Sequence, residues 1–399
     1  MDADPPPAGP RVALLADYLE EGWPSMDLVA EMLGGKFEKK DRGGEDNRGF
    51  EIELLRPKFH RRFSNANSGA GFKSDRLVNR FFDYPRFVRK LEHFDLYHLT
   101  DHSYSQLLHS LPEGRTVVTC HDLDTFRCLW EPNHANRGWA FVAMTRRILR
   151  GLKKAAHVCC DSIATREELL ARGILSPAKV SVVQLGVHPV FLQSPAAATE
   201  AAVDAMLRAA SQNTEGCVDL LHVGSVIPRK RIDFLLQVFA CLRKVERRAR
   251  LLRVGGKLTE SQQALAGRLG AAEAIVTLPS LTAEQLAVVY RRATLLLLPS
   301  ETEGFGLPIV EAMACGTPVL VSDLPVLREV GGDAADYAPV ADIEGWTARA
   351  SALLTERRDE PELWEDRRDR CRQQAAKFSW TETARRTAEI YRRVLAMRL

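Results

Sequence analysis

The sequence predicts an α/β protein made of two Rossmann-like, doubly wound parallel-sheet domains facing a central cleft. Three observations predict it. Short apolar runs alternate with helical stretches through the first half. The alternation breaks at a Pro-, Ala- and polar-rich stretch, Ser194 to Gly216. It then restarts and continues almost to the end. Strands covered by helices on both faces read as continuous apolar runs, and two such series define two sheets.

In the first series RVALLADY (11–18), FEIELL (50–55), DLYHLT, RTVVTC, AAHVCC and KVSVVQL are strands. SMDLVAEMLGG, TRRILRGLKKA and TREELLARG are helices, with Gly173 as a stop. RLVNRFFDYPRFVRKL also reads as helix, kinked or split at Pro85. The second series has strands CVDLLHVG, LLRVGG, AIVTLP, TLLLLP and PVLVS. Its helices are IDFLLQVFACLRKV, SQQALAGRL, AEQLAVVYRRA, PIVEAMACG and EGWTARASALLTE. The expected domains are residues 1–193 and 218–377, joined by 194–217 with some helix in it.

Composition sets bounds. Of 399 residues, 45% are apolar and 27% charged, and the net charge is +3, so nothing global asks for a nucleic-acid partner. The opening MDADPPPAGP lacks the basic start and apolar core of a signal peptide, and no apolar run reaches the roughly 18 residues that span a bilayer. Eight cysteines without C-x-x-C spacing read as reduced core residues of a cytoplasmic protein. The charge is uneven. Ten Lys or Arg lie between Arg56 and Lys90, and within that stretch only Asp75 and Asp83 oppose them. With FFDYPRF interleaved, the stretch fits peripheral docking on an anionic membrane, a lipid-linked phosphate acceptor, or a plain solvated face.

Ligands of open parallel sheets bind beyond the carboxyl ends of the strands, so the residues that follow strands carry the chemistry. After TLLLLP come Glu303, Gly304, Phe305, Gly306 and Leu307, then a short helix with Pro308 at its start and Glu311 one turn in. The amino end of such a helix attracts anions, and glycine lets the backbone approach a ligand. An acidic first turn favoured by the helix dipole is the plainer reading of the two glutamates. After CVDLLHVG come Gly224, Ser225 and the cations Arg229, Lys230 and Arg231, placed where the helix dipole disfavours them. A diphosphate would offset that; a solvated basic loop is the alternative. After RTVVTC come His121 and Asp122. Asp122–Asp124 is a weak D-x-D match for a metal, and no metal is expected. His98, Asp101 and His102 follow another strand; a polar wall or a satisfied core histidine is expected there rather than a zinc site.

The string EGFGLPIVEAMACGTPV resembles the E-x(7)-E signature of retaining glycosyltransferases of family 4, which have the GT-B fold. GSVIPRKR, LRVGG, LTAEQLAVVYRRA, LREVGGDAA and FSWTETA follow in the order that family shows, and TCHDL and CDSIATREEL extend the likeness, more loosely, into the first half. The resemblance implies a nucleoside-diphosphate sugar bound by the second domain and a glycan or lipid-linked acceptor bound by the first, with no cofactor. By that likeness Lys230 and Arg229 hold the diphosphate, Glu311 the ribose hydroxyls and Glu303 the sugar. Backbone N–H groups of Gly304 to Leu307 hold hydroxyls and phosphate oxygens. Thr277, Leu278 and Pro279 edge the base, and His121 faces the sugar's outer hydroxyls. It also implies that 378–399 crosses back to the first domain.

Two departures stand out. Ser225 occupies a position where the family often has Arg, and the loop after the first strand, DYLEEGWPSMD, has one glycine, Gly22, where the family often has two. Trp23, with Gly22, Asp122 and His102, is expected on the acceptor side. The expected reaction is retaining, metal-independent hexose transfer, with the leaving phosphate taking the acceptor proton. The alternatives are a GT-B-type phosphorylase and a nucleotide-sugar-binding module without catalysis. A nicotinamide dehydrogenase is disfavoured, because no G-x-G-x-x-G follows the first strand of either series.

Overall fold

The structure is a computed structural model that describes residues 9–38, 49–131, 138–210 and 216–397. Most of the opening Pro-rich stretch and residues 211–215 of the expected connection lie outside the described residues. The first sheet holds β1 (Arg11–Leu15), β2 (Glu51–Leu55), β3 (Leu96–Leu99), β4 (Thr116–Cys120), β5 (His157–Cys160) and β6 (Val180–Val182). Its order is β2-β1-β3-β4-β5-β6, with each neighbouring pair parallel. The second sheet holds β7 (Val218–Val223), β8 (Ala249–Val254), β9 (Ile275–Thr277), β10 (Leu295–Leu298), β11 (Val319–Ser322) and β12 (Asp336–Ala338). Its order is β12-β11-β10-β7-β8-β9, again parallel throughout. Strand order reverses between β1 and β3 in one sheet and between β7 and β10 in the other. Ligands of doubly wound sheets gather at those points.

The apolar runs mark the strands because their residues are covered on both faces: every residue of β3, β4, β5, β8, β10 and β11 is buried. The strand β12 has no counterpart among the predicted strands. At three residues, DYA, it is too short and polar to show as an apolar run. The helical stretch around Pro85 is divided just ahead of the proline. The helix Gly69–Val78 continues through a π-helical turn, Asn79–Asp83, into the helix Tyr84–Val88. Proline lacks the N–H and crowds the preceding turn, and the wider π turn just before it accommodates that.

The chain divides into two units, one running to Gly186 and resuming at Trp380, the other Val187–Ser379. The first boundary thus falls at Gly186 rather than 193. The helix Ala197–Ala210, within the expected connection, is part of the second unit, where Arg292 pairs with Asp204. In the first unit the helix Trp380–Ala396 packs Ile390, Tyr391 and Val394 on Val12, Leu96, Val117 and Cys159. His98 pins that helix. Its Nδ1 lies 2.6 Å from the Tyr391 hydroxyl and its Nε2 2.8 Å from Thr119 Oγ1. Burial pushes this ring down to about 3, so it is a neutral, satisfied core histidine. No helix among the described residues is long and apolar enough to cross a membrane.

Candidate active site

In the second unit the loop after β10 and the loop after β7 meet at one carboxylate. Lys230 Nζ lies 2.6 Å from Glu303 Oε1, and Arg229 Nη1 lies 3.4 Å from Oε2. Ser300 Oγ donates to Oε1 at 2.6 Å. Arg229 Nη1 also donates to the Thr302 carbonyl at 2.9 Å, and the Glu301 N–H returns a bond to the Arg229 carbonyl at 2.8 Å. The two loops are therefore stitched together by backbone and side chain alike. Burial alone would raise the Glu303 carboxyl, but Lys230, then Arg229, outweigh it and hold the group below its ordinary range. Glu303 is thus an ionised carboxylate with its side chain only 6% exposed.

The misplaced cations of the sequence have an internal counter-charge. Pro228–Lys230 forms a 3-10 turn that aims Arg229 and Lys230 at Glu303. Arg231, at φ 49, caps the following helix and turns away to Asp233 at 3.5 Å. Two cations against one carboxylate leave a net charge of about +1 here, which suits a further anion.

Gly306 is the N-cap of the helix Leu307–Ala314, at φ 100. A Cβ there would be strained and would lie 3.1 Å from Leu327 Cδ2, so the turn requires glycine. Phe305 is buried edge-on against Phe378, ring centroids 5.7 Å apart, which fixes the loop from below. Glu311 is one turn into the helix and accepts a bond from the buried Tyr290 hydroxyl at 2.8 Å. Burial raises the Glu311 carboxyl to about 7, only partly offset by that bond. The two glutamates therefore differ in kind: Glu303 is held charged, and Glu311 shares its proton near neutrality.

Gly224 ends β7, and Gly255, after β8, packs so close that a Cβ there would sit 2.3 Å from the Gly224 carbonyl oxygen. Ser225 is half-buried beside it. Under this turn lies Arg253, fully buried. It faces His222 Nδ1 at 3.4 Å and the carbonyls of Gly224 and Gly256 at 3.4 and 3.3 Å. Burial lowers the Arg253 guanidinium to about 10 and depresses His222 well below its ordinary value. At the end of β9, Leu278 is buried and its N–H donates to the Arg253 carbonyl at 2.8 Å, while Thr277 is half-buried and Pro279 exposed.

In the first unit polar residues cap one strand after another. His121, after β4, donates from Nε2 to the Thr100 carbonyl at 2.7 Å and pairs through Nδ1 with Asp161 Oδ2 at 2.6 Å. Burial alone would depress the ring, but Asp161 overrides it and holds it up at about 10. Both ring nitrogens are thus committed to protein partners, and His121 offers a neighbouring group charge and shape rather than a spare ring nitrogen. His102 Nδ1 accepts from the His121 N–H at 3.4 Å, and burial, opposed chiefly by Asp101, keeps this ring below its usual value. Asp122 Oδ1 accepts the Asp124 N–H at 3.0 Å, so the D-x-D string is a local turn. Gly22, at φ 68, ends the 3-10 turn Leu19–Glu21. Trp23 is 43% exposed, and its carbonyl takes the N–H of Met26 and Asp27 at 2.9 and 3.1 Å.

The basic stretch is less lopsided in three dimensions than along the chain. Arg56 pairs with Asp27 at 2.6 Å, Arg76 and Arg80 with Glu21 at 2.9 and 3.4 Å, and Arg62 with Asp83 at 2.8 Å. Three of these four cations draw their counter-charge from acids before residue 30. Sequence reasoning also missed Ser300, Asp161 and Asp17, although each directly follows, or lies close after, a strand. Tyr290 carried no signal at all, because it arrives from the end of a neighbouring helix.

Two doubly wound parallel sheets, with a glycine-bounded acidic loop after β10, fit the GT-B glycosyltransferase class. Structural likeness agrees on the fold. Sucrose-phosphate synthase from Thermosynechococcus elongatus superposes with a TM-score of 0.74 at 18% identity, covering 97% of this chain and 100% of that one. The Anabaena protein HepE, crystallised with UDP and glucose, gives 0.67 at 15% identity over 95% and 98%. Residues 205–378 match the family described as Glycosyl transferases group 1, and residues 45–191 match Glycosyltransferase Family 4. The chain belongs to the GT-B glycosyltransferases of the family 4 type. Among relatives, the MMP alpha-(1->4)-mannosyltransferase of Mycolicibacterium hassiacum is 30% identical over 275 residues, 67% of this chain and 60% of the relative. The D-inositol 3-phosphate glycosyltransferase of Segniliparus rotundus is 38% identical over 184 residues, 43% and 39% of the two chains. The alignments thus span 60% or less of these relatives' own length.

Proposed function

We propose that this protein moves a hexose, with retention of configuration, from a nucleoside-diphosphate sugar to an acceptor hydroxyl in glycan, polysaccharide or glycolipid biosynthesis. The observation that carries the reading is the Lys230–Glu303–Arg229 cluster at the mouth of the Gly304–Leu307 loop. Breaking the sugar–phosphate bond puts negative charge on the leaving diphosphate. Lys230, Arg229 and the amino end of Leu307–Ala314 meet that charge without reorganising, and no metal is required in this reading. The sugar carbon gains positive character, which the ionised Glu303 favours. Glu311, with a proton shared near neutrality, grips ribose hydroxyls. His121 supports the sugar's outer side through its charge. Gly224, Ser225 and the Thr277–Pro279 edge complete the donor pocket. The relatives, a mannosyltransferase and a D-inositol 3-phosphate glycosyltransferase, support a sugar-transfer role.

On the acceptor side the reading assigns Gly22, Trp23, Asp122 and His102. Phe63 and Phe82, 60% and 54% exposed, with the exposed Lys58, Lys73 and Arg86 of the same basic stretch, favour contact with an anionic membrane surface. A thermal-shift screen of nucleotide sugars tests the donor half, since a bound donor raises the melting temperature by mass action. The expected result is a shift with one nucleoside-diphosphate sugar that the Lys230→Ala variant loses; no shift with any of them refutes the reading.

A further inference from the structure

Asp17 follows β1, directly at the point where strand order reverses in the first sheet. It is 2% exposed, and among the described residues neither carboxylate oxygen accepts a hydrogen bond from another residue; only its own backbone N–H acts on it. Its neighbour Arg56 donates at 3.0 Å to the Asp17 carbonyl and spends its charge on Asp27, leaving the carboxylate unattended. Buried carboxylates are rarely left so, because each unpaired oxygen costs free energy.

Asp17 is not isolated. Arg80 Nε is also buried without a hydrogen-bond partner, His102 Nε2 has only Asp122 at 4.0 Å, and the Tyr104 hydroxyl has only Glu21 to turn to. The group is physically continuous: Arg80 lies 3.4 Å from Glu21, stacks 4.1 Å from the Tyr104 ring centroid, and donates to the Ser103 carbonyl at 2.6 Å. Asp101, which leads into that segment, acts on Asp17 by charge, and with burial pushes its carboxyl up to about 7. At the same sheet edge His98 and His121 have both ring nitrogens matched, and Asp161 bonds His121 through one oxygen, leaving only the other unmatched. Asp17, at the β1–β3 switch point, has neither oxygen matched by another residue.

We propose that Asp17 is a specificity-determining residue that grips two hydroxyls of a polyhydroxylated acceptor, with Glu21, Arg80 and His102 completing the polar subsite. The proposal rests on the transfer reading above and deepens it. It names the acceptor as a polyol ring rather than a simple alkyl alcohol. A carboxylate accepts from two vicinal hydroxyls, and the ring's remaining hydroxyls can donate to Glu21 or accept from His102 and Arg80. A cation is the poorer match, because Arg56, Arg76 and Arg80 already supply positive charge around the acids.

The test is Asp17→Asn, which keeps the shape and removes the charge. Myo-inositol and methyl α-D-mannopyranoside serve as probe acceptors with the sugar nucleotide that the thermal-shift screen selects. The wild type is expected to glycosylate at least one of them. The variant should lose about 10- to 100-fold in acceptor kcat/KM, the scale of a charged hydrogen bond, with donor hydrolysis unchanged. Its melting temperature should hold or rise, since an unpaired buried charge has gone. Unchanged acceptor kinetics, a marked drop in melting temperature, or transfer to octanol but to neither polyol each overturns the proposal. If no sugar nucleotide binds the wild type at all, the transfer reading fails, and thermal shift with the two polyols alone still decides this one. Stabilisation of the wild type but not of Asp17→Asn supports it, and equal shifts sink it.

Discussion

The carboxyl edges of the two sheets both belong to six-stranded, all-parallel sheets of different strand order, and they are filled in opposite ways. At the edge of the second sheet the charged groups find each other: Lys230, Arg229 and Ser300 all converge on Glu303. At the edge of the first, among the described residues the Asp17 carboxylate has no partner from another residue, although three arginines pair with acids nearby in the chain's first ninety residues. A paired site is held rigid and charged whether or not a ligand is present, which suits a diphosphate whose chemistry never varies. An unpaired site carries a standing cost that only a ligand relieves. The difference teaches that the signature motif marks the preorganised half, while the half we propose for the acceptor is written in single residues.

The largest expected effect sharpens this contrast. Lys230→Ala should cut turnover by about 10² to 10³, the scale of one preorganised charge, and should depress donor hydrolysis and acceptor transfer together. Asp17→Asn should touch only the second. Equal loss of both activities in both variants would erase the distinction between the two edges, and a steady-state assay with and without acceptor reads it directly.

A smaller effect separates matched from unmatched polar groups within one sheet. Tyr391→Phe leaves His98 Nδ1 buried without its partner and should destabilise the fold by about 1–3 kcal/mol in urea titration. Asp17→Asn should not destabilise. If both variants lose similar stability, Asp17 is structural as well.

The dependence of stability on pH gives a gentler test. Asp17 and Glu311 are raised to about 7 in the folded protein, from ordinary values of 3.8 and 4.5. A raised acid binds its proton more tightly when folded. Its contribution to stability is therefore full below about pH 4 and is lost as pH rises towards 7. Glu303, held low, contributes in the opposite sense, losing stability as pH falls below its ordinary value of 4.5. Asp17→Asn should flatten the decline between pH 4 and 7 relative to the wild type in parallel denaturation curves. A superimposable pair of curves would show that Asp17 ionises normally. The smallest expected effect concerns the basic stretch. With Arg56, Arg62, Arg76 and Arg80 occupied by acids, only the remaining cations and the exposed Phe63 and Phe82 can meet a surface. Flotation should show modest binding to liposomes with anionic lipid and none to neutral ones; identical flotation on both retires the membrane contact.

Much of this was legible in the chain. Eleven of the twelve strands show in the sequence, most of them as apolar runs, because a strand buried on both faces has no polar side to interrupt it; the edge strand β2, EIELL, shows by alternation instead. The short, polar β12 does not. The acidic loop, its glycines and the cationic turn were readable for a similar reason: each follows a strand, where the fold must place ligand chemistry. What could not be read was pairing. Nothing local tells that Arg76 and Arg80 answer to Glu21, more than fifty positions earlier, or that Tyr290 reaches Glu311.

By itself, then, the sequence determined the two doubly wound sheets, the order of their strand-ending motifs and the family to which they belong, because periodicity and local turn chemistry are properties of neighbouring residues. Only the tertiary structure decided which charges are satisfied: Glu303 clasped by two cations, His121 locked between Asp161 and Thr100, and Asp17 left alone. Those outcomes depend on distances and burial among residues far apart in the chain, and burial sets both the acidity of a group and the cost of leaving it without a partner.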